Sequence, residues 1–163
     1  LHYWGVSIAR LKNGQPDVSA LYYPLLDELY LAEAGKGGWF NGAKLETVTT
    51  DRTTPYFACD SRTHQRYQVQ LRYKTRILGA ASYNFLSVAK NSAVLAFEVT
   101  PKVWDFAGAW LVVKEAGAFI EAYDQSALFP LVPGEEYKSK SIPILVAVSP
   151  ELLKEAREKI IKK

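Results

Sequence analysis

One carboxylate in the C-terminal third of the chain stands where a helix is predicted to begin. Asp105 lies in the segment Thr100-Pro-Lys-Val-Trp-Asp-Phe-Ala-Gly-Ala-Trp-Leu-Val. Pro101 favours an extended or turn backbone, residues 106–116 are an apolar run of good helix formers, and Gly117 suits a C-cap. Asp105 therefore lies in a first helical turn and is the leading catalytic candidate. The alternative is that it only complements the helix dipole, which stabilises a helix by about 0.3–1 kcal/mol.

Other stretches follow one another in an order that has a known counterpart. The W-D-F-A-G string and the E-A-G that ends at Gly117 resemble the C-terminal signature of the inositol monophosphatase family of metal-dependent sugar phosphatases. The matching stretches extend the resemblance over nearly the whole chain. They are Gly5-Val-Ser-Ile-Ala9, Tyr23-Pro-Leu-Leu-Asp-Glu-Leu-Tyr-Leu-Ala-Glu33, Gly35-Lys-Gly-Gly-Trp-Phe-Asn-Gly42, Gly79-Ala-Ala-Ser-Tyr-Asn84 and Ala96-Phe-Glu98.

The resemblance implies a site for each matched residue. It makes Asp105 a catalytic residue and a ligand of Mg²⁺, which prefers carboxylate oxygens and keeps several waters. It implies that Glu98 accepts hydrogen bonds from substrate hydroxyls; the alternative is a surface glutamate at a strand end. The remaining substrate-binding residues that it implies are Gly79, Ala80, Ala81 and Ser61.

Two residues beside the predicted substrate-binding turn at Gly79 affect these implied roles. Ala80 stands where the family usually has Thr or Ser, so one hydroxyl is lost there. Asn84, expected in the first turn of a helix, can cap or pin the turn at Gly79, and the structural role is favoured. Trp104 is interpreted as a packing residue that fixes the helix start.

Most of the family's metal ligands come from a motif that we do not find in this sequence. Family members carry a Glu-Glu helix and then D-P-[IL]-D-G-T-x-N-F, upstream of the V-S-I strand, and no D-x-x-D-G-T occurs here. Glu135-Glu136 is interpreted as solvated surface. We therefore expect either part of a longer polypeptide or a naturally shortened relative, with weak or undetectable activity for these 163 residues alone.

Composition narrows the classes of protein. With 48% hydrophobic residues, the chain can bury one sizeable core or two small ones. A net charge of +3 is too small and too scattered to indicate nucleic-acid binding, and the terminal segment Lys154 to Lys163 is predicted as a solvated helix. A lone cysteine, Cys59, fits a reducing cytosol, so a cytoplasmic location is predicted. No apolar run of 18 residues indicates a membrane span.

Hydrophobic patterning predicts an α+β / α/β layered fold, and the resemblance implies that it is sugar-phosphatase-like. Residues 1–54 are predicted as the end of an N-terminal antiparallel sheet layer, and residues 55–163 as a C-terminal α/β domain. The predicted strands are 4–10, 18–23, 29–33, 38–40, 56–59, 74–78, 94–99, 118–123 and 144–148. The predicted helices are 63–73, 82–90, 104–116 and one that Pro150 opens, and residues 47–54 are predicted as a linker.

Three functional hypotheses remain open at this point. The first is a Mg²⁺-dependent, lithium-sensitive phosphatase acting on inositol monophosphate or a related small phosphorylated polyol. The second is a non-catalytic relative that binds a small molecule or a partner, and the third is a partial chain whose activity belongs to a longer protein. An antiparallel layer without its upstream helices exposes an apolar face, so we expect a homo-oligomer or a partner supplying the missing N-terminal portion.

Overall fold

The N-terminal part of the chain forms an antiparallel meander. The structure, a computed structural model, describes residues 2–47 and 56–163. In the first range, strands pair in sequence order to form one sheet. They are β1 (Val6–Lys12), β2 (Gln15–Tyr23), β3 (Glu28–Glu33), β4 (Gly37–Phe40) and β5 (Ala43–Lys44). The strand β5 is an addition to the predicted set.

The second range contains a mixed sheet whose strand order is β10-β11-β9-β6-β8. Strand β6 runs parallel to both β8 and β9, whereas β11 runs antiparallel to β9 and β10. The elements are β6 (Tyr56–Cys59), α1 (Thr63–Arg66), β7 (Tyr67–Val69), β8 (Lys74–Arg76), α2 (Ala81–Ala89), β9 (Leu95–Glu98), α3 (Val103–Glu115), β10 (Phe119–Ala122), β11 (Ile144–Ala147), α4 (Pro150–Lys159) and β12 (Ile160–Lys162).

Helices α2 and α3 join the two sheets. Helix α3 packs against the first four strands and against β10, and α2 packs against α3, β6 and β9. Large side chains from both helices and from three of these strands, β2, β6 and β9, are fully buried, among them Leu21, Phe57, Phe85, Phe97 and Leu111. The predicted layered fold class is therefore confirmed. The boundary between residues 54 and 55 lies outside the described residues, as does most of the predicted linker, and the division into two domains stays a prediction.

Two helices begin where they were predicted but end earlier, for the same physical reason. The helix predicted over residues 63–73 stops at Arg66, and the terminal helix stops at Lys159 instead of continuing to residue 163. The two segments that follow these ends, β7 and β12, pair with each other in a separate antiparallel sheet. Tyr67 is buried there against the Phe97 ring. A pairing between residues more than ninety positions apart overrode the local helical pattern.

The two Asn-Gly pairs form tight turns, as this dipeptide commonly does between strands. Asn13 and Gly14 have φ values of 52° and 76°, and Asn41 and Gly42 have values of 47° and 82°. These positive values fit hairpin turns in which both central residues are left-handed. A distant loop also contacts the first turn, because the Leu131 amide donates a 2.8 Å hydrogen bond to the Gly14 carbonyl.

The two turn glycines give a matched test of this packing. A Cβ at Gly14 would lie 2.2 Å from the Leu131 carbonyl oxygen, whereas a Cβ at Gly42 meets nothing within 4 Å. We expect Gly42→Ala to lower the free energy of unfolding by about 1 kcal/mol through backbone strain, and Gly14→Ala to lower it by about 3 kcal/mol because the loop must also shift. Urea unfolding measures both, and equal losses would contradict the contact with Leu131.

Candidate active site

A cleft of about 450 Å³ opens where two helices begin and two strands end. Strands β6 and β9 are parallel neighbours, so their carboxyl ends lie at the same edge of the sheet. The N-termini of α2 and α3 face that edge, and residues 3–5 border it from the first sheet. All six residues predicted for the site line this cleft: Ser61, Gly79, Ala80, Ala81, Glu98 and Asp105.

Asp105 is the third residue of α3, in the predicted first turn. Its Oδ2 accepts a 2.8 Å hydrogen bond from the Lys102 main-chain amide, and its own amide donates at 2.8 Å to the Lys102 carbonyl. Asp105 therefore does stabilise the start of the helix, which was the alternative to a catalytic role. Within residues 2–47 and 56–163 no hydrogen bond reaches the other carboxylate oxygen, so the side chain also retains an acceptor at the cleft.

Glu98 is a buried carboxylate at the end of β9, with 4% of its surface exposed. The alternative of a surface glutamate is therefore wrong. Burial raises its pKa to about 8, and the negative charges of Asp60 and Asp105 act in the same direction. A hydrogen bond from Asn84 Nδ2 to Glu98 Oε1 and the charge of Arg62 oppose that rise in pKa.

Asn84 has a different partner from the one predicted. It is 1% exposed in the first turns of α2, and its amide binds Glu98 instead of the turn at Gly79. That turn depends on glycine itself, since Gly79 has a φ of 86°. Ala80 is the N-cap of α2 and provides no side-chain hydrogen bond there. Ala80 therefore lines the cleft with a methyl group and offers no hydroxyl there.

The sequence analysis missed two charged residues of the cleft, Asp60 and Arg62. Asp60 accepts hydrogen bonds from the Thr63 hydroxyl at 2.7 Å and from the Val99 amide at 3.1 Å, so it ties the end of β6 to the end of β9. Arg62 Nη1 donates to the Thr100 hydroxyl at 3.2 Å. The available signal was an acidic residue directly after a buried strand, the position at which α/β sheets commonly bind ligands.

The described residues do not form a complete metal site. Among them no three His, Cys, Asp or Glu side chains converge closely enough to hold an ion. Mg²⁺ requires about six oxygen ligands, including its waters. Asp105, with one oxygen available, fits as a single ligand and leaves the others to be supplied by groups beyond the described residues.

Fold and cleft together define a layered α/β protein with an acidic, ligand-sized site, and comparison with known proteins gives its family. The inositol monophosphatase family model matches residues 1–162, and the chain belongs to that family. The chain is 31% identical over 127 residues to a protein of Xylella fastidiosa named Nus factor SuhB, covering 71% of this chain and 46% of that protein. It is 30% identical over 129 residues to bovine inositol monophosphatase 1, covering 71% and 47%.

Solved structures agree on the fold. A Pyrococcus horikoshii protein described as similar to inositol-1 monophosphatase superposes with a TM-score of 0.80 at 21% identity, over 99% of this chain and 64% of that one. Inositol monophosphatase from Anabaena gives 0.73 at 22% identity, over 99% and 66%. The chain spans about half the length of the curated relatives it matches. No helix within residues 2–47 and 56–163 is long and apolar enough to cross a bilayer.

The buried Glu98 makes the stability of the protein depend on pH. Its folded-state pKa of about 8 lies above the ordinary value of 4.5, so folding favours the protonated form. The stabilisation is complete below about pH 4.5 and is lost as the pH rises through 8, by about 1 kcal/mol per pH unit within that window. We expect Glu98→Gln, which cannot ionise, to be more stable than the wild type at pH 9. Urea unfolding in EDTA at pH 5 and 9 measures this, and a difference that does not change with pH would contradict it.

Proposed function

We propose that these residues form the substrate-facing part of a phosphatase that hydrolyses inositol monophosphate or a related small phosphorylated polyol, as part of a longer protein. One observation carries the proposal: the cleft brings Asp105, at the start of α3, together with the buried acceptor Glu98. A carboxyl group that is already desolvated binds hydroxyl donors without a further large desolvation cost, and it keeps an acceptor oxygen when protonated. Such an arrangement suits a neutral polyol ring that carries one charged phosphate.

Each cleft residue has a role in this proposal. Glu98 accepts hydrogen bonds from ring hydroxyls, and the turn at Gly79, Ala80 and Ala81 lies against the ring. Ser61 contributes a polar contact beside it. Arg62 lies at the same cleft and offsets part of the acidic charge, which favours an anionic phosphate.

The proposed cofactor is Mg²⁺, with Asp105 as one of its ligands. When bound, Mg²⁺ supplies neutralisation of phosphate oxygens and activation of water. The other ligands in this proposal come from polypeptide beyond the described residues. Lithium sensitivity and a cytoplasmic location are proposed on the same family grounds. The substrate is also proposed at class level, since one relative from Thermotoga maritima is named a fructose-1,6-bisphosphatase/inositol-1-monophosphatase.

A second candidate function is a binding module without turnover. The observation that favours it is the lack of a three-ligand metal cluster among the described residues. Such a module would bind polyol phosphate in the same cleft and release no phosphate. Asp105→Asn separates the two candidates, because an amide can still accept the Lys102 hydrogen bond but is a poor Mg²⁺ ligand.

We expect Asp105→Asn to abolish phosphate release from inositol 1-phosphate in the full-length protein, and the 163-residue chain to show little or no release. The control is Glu151→Gln, which alters an acidic residue in the first turn of α4, far from the cleft. Phosphate release is measured with Mg²⁺, with and without lithium, beside the intact mass of the protein. Full activity in Asp105→Asn would contradict a ligand role, and robust turnover by the 163-residue chain would contradict the need for further polypeptide.

An apolar surface along β1 supports a proposed partner. Except for Ala9, every residue of β1 is exposed, and neighbouring tryptophans and strands add further apolar side chains. This β1 surface consists of Trp4, Val6, Ile8, Leu11, Tyr22, Leu29, Leu31 and Trp104, each between 37% and 61% exposed. Trp104 therefore lies outside the cleft and is half exposed, in contrast to the predicted packing role. We propose that a second copy, or a partner supplying the rest of the fold, covers this surface.

Self-association of the 163-residue chain tests the first of these partners. We expect the wild type to form dimers or larger assemblies at micromolar concentration, and Ile8→Glu to reduce them by at least tenfold in association constant. Ile161→Glu is the matched control, because Ile161 is 45% exposed on β12, away from β1. Light scattering on a sizing column measures the mass. An 18.3 kDa wild type would contradict self-association and favour a different partner.

A further inference from the structure

One buried polar atom of a residue that lines the cleft has no hydrogen-bond partner among the described residues. Asn84 is 1% exposed and its side chain lines the cleft. Its amide nitrogen donates to Glu98, but within the described residues its Oδ1 is buried and accepts no hydrogen bond. Buried acceptors are nearly always paired, so an unpaired one next to a cleft indicates a missing donor.

The orientation of Asn84 is fixed by its surroundings. Its main-chain amide donates to the Ala80 carbonyl at 3.0 Å, and its own carbonyl accepts a 2.6 Å hydrogen bond from Ser87 Oγ. With Glu98 ionised, a side-chain amide turned round would place its oxygen against the carboxylate, and two acceptors would repel each other. Asn84 Oδ1 and the Glu98 carboxylate are therefore two acceptors held together by the hydrogen bond between them.

We propose that Asn84 is a specificity-determining residue, whose Oδ1 accepts a hydroxyl hydrogen from the polyol next to the hydroxyl that Glu98 accepts. The inference rests on the proposed function, and it narrows the substrate class to phosphorylated polyols with two adjacent free hydroxyls. A ligand with a single hydroxyl satisfies Glu98 and leaves Asn84 unpaired. A ligand with adjacent hydroxyls satisfies both acceptors at once, so the pair discriminates between these two kinds of ligand.

Two features of the cleft favour this assignment. The charged groups that face the pair are Asp60, Asp105 and Arg62, and each of the first two is an acceptor rather than a donor. Thus the two carboxylates cannot supply the hydrogen that Oδ1 lacks. Arg62 already donates to Thr100. Ala80 and Ala81, which line the cleft at the start of the same helix, carry only methyl groups and offer no side-chain donor.

The test compares two phosphomonoesters on a common six-membered ring. Inositol 1-phosphate carries adjacent hydroxyls and cyclohexyl phosphate carries none, and calorimetry measures the dissociation constant of each with the 163-residue chain. We expect Asn84→Leu to weaken binding of inositol 1-phosphate about tenfold and to change binding of cyclohexyl phosphate less than twofold. The matched control is Ser19→Ala, which alters a buried polar side chain on β2 outside the cleft.

The outcomes separate this inference from the proposed function. A wild type that binds neither ester overturns the proposed function together with the inference. Equal weakening for both esters, or weakening for neither, overturns the role of Asn84 and leaves the proposed function standing. A second measurement needs no variant: the Asn84 side-chain amide protons should shift in NMR spectra with inositol 1-phosphate and remain in place with cyclohexyl phosphate. A shift with both esters, or with neither, contradicts the inference.

Discussion

The cleft depends on one constraint, which is that α2 must lie in a fixed position between the two sheets. A half-buried ion pair holds the C-terminal end of this helix, with Lys90 Nζ 2.8 Å from Glu28 Oε1. The Tyr83 hydroxyl also donates to Glu28. At the other end, the Tyr23 hydroxyl donates to Ser82 Oγ at 2.8 Å. Because α2 carries both Asn84 and the turn at Gly79, contacts made by the first sheet set the position of groups that line the cleft beyond it.

Burial gives the acidic side chains of the cleft different properties. Asp60 uses its two oxygens to accept hydrogen bonds from the Thr63 hydroxyl and the Val99 amide. Glu98 has a single amide donor and a raised pKa, and it holds its negative charge less readily. Asp105 shares one oxygen with the backbone and keeps the other available. Three carboxyl groups of the cleft thus separate into a structural tie, a proposed hydroxyl acceptor and a proposed metal ligand.

The sequence indicated those parts of the molecule that depend on nearby residues. Asn-Gly turns, the helix start at Asp105 and the buried strands follow local rules, and the structure confirms them. The prediction failed where distant segments meet, as with β12 pairing onto β7. The same limit explains Asp60 and Asn84: their importance comes from β9 lying beside β6 and α2, and nothing within a few residues of either one records that neighbour.

The β1 surface and the incomplete metal site occupy one region of the molecule. Trp4 belongs to that exposed surface and also lines the cleft, and Gly5 beside it lines the cleft immediately before β1 begins. Gly5 is packed closely there, because a Cβ would lie 2.6 Å from the Tyr22 carbonyl oxygen. We propose that a polypeptide covering β1 also borders this cleft, which Asp105 lines too. In that proposal, covering the apolar side chains and adding metal ligands are two consequences of a single docking event.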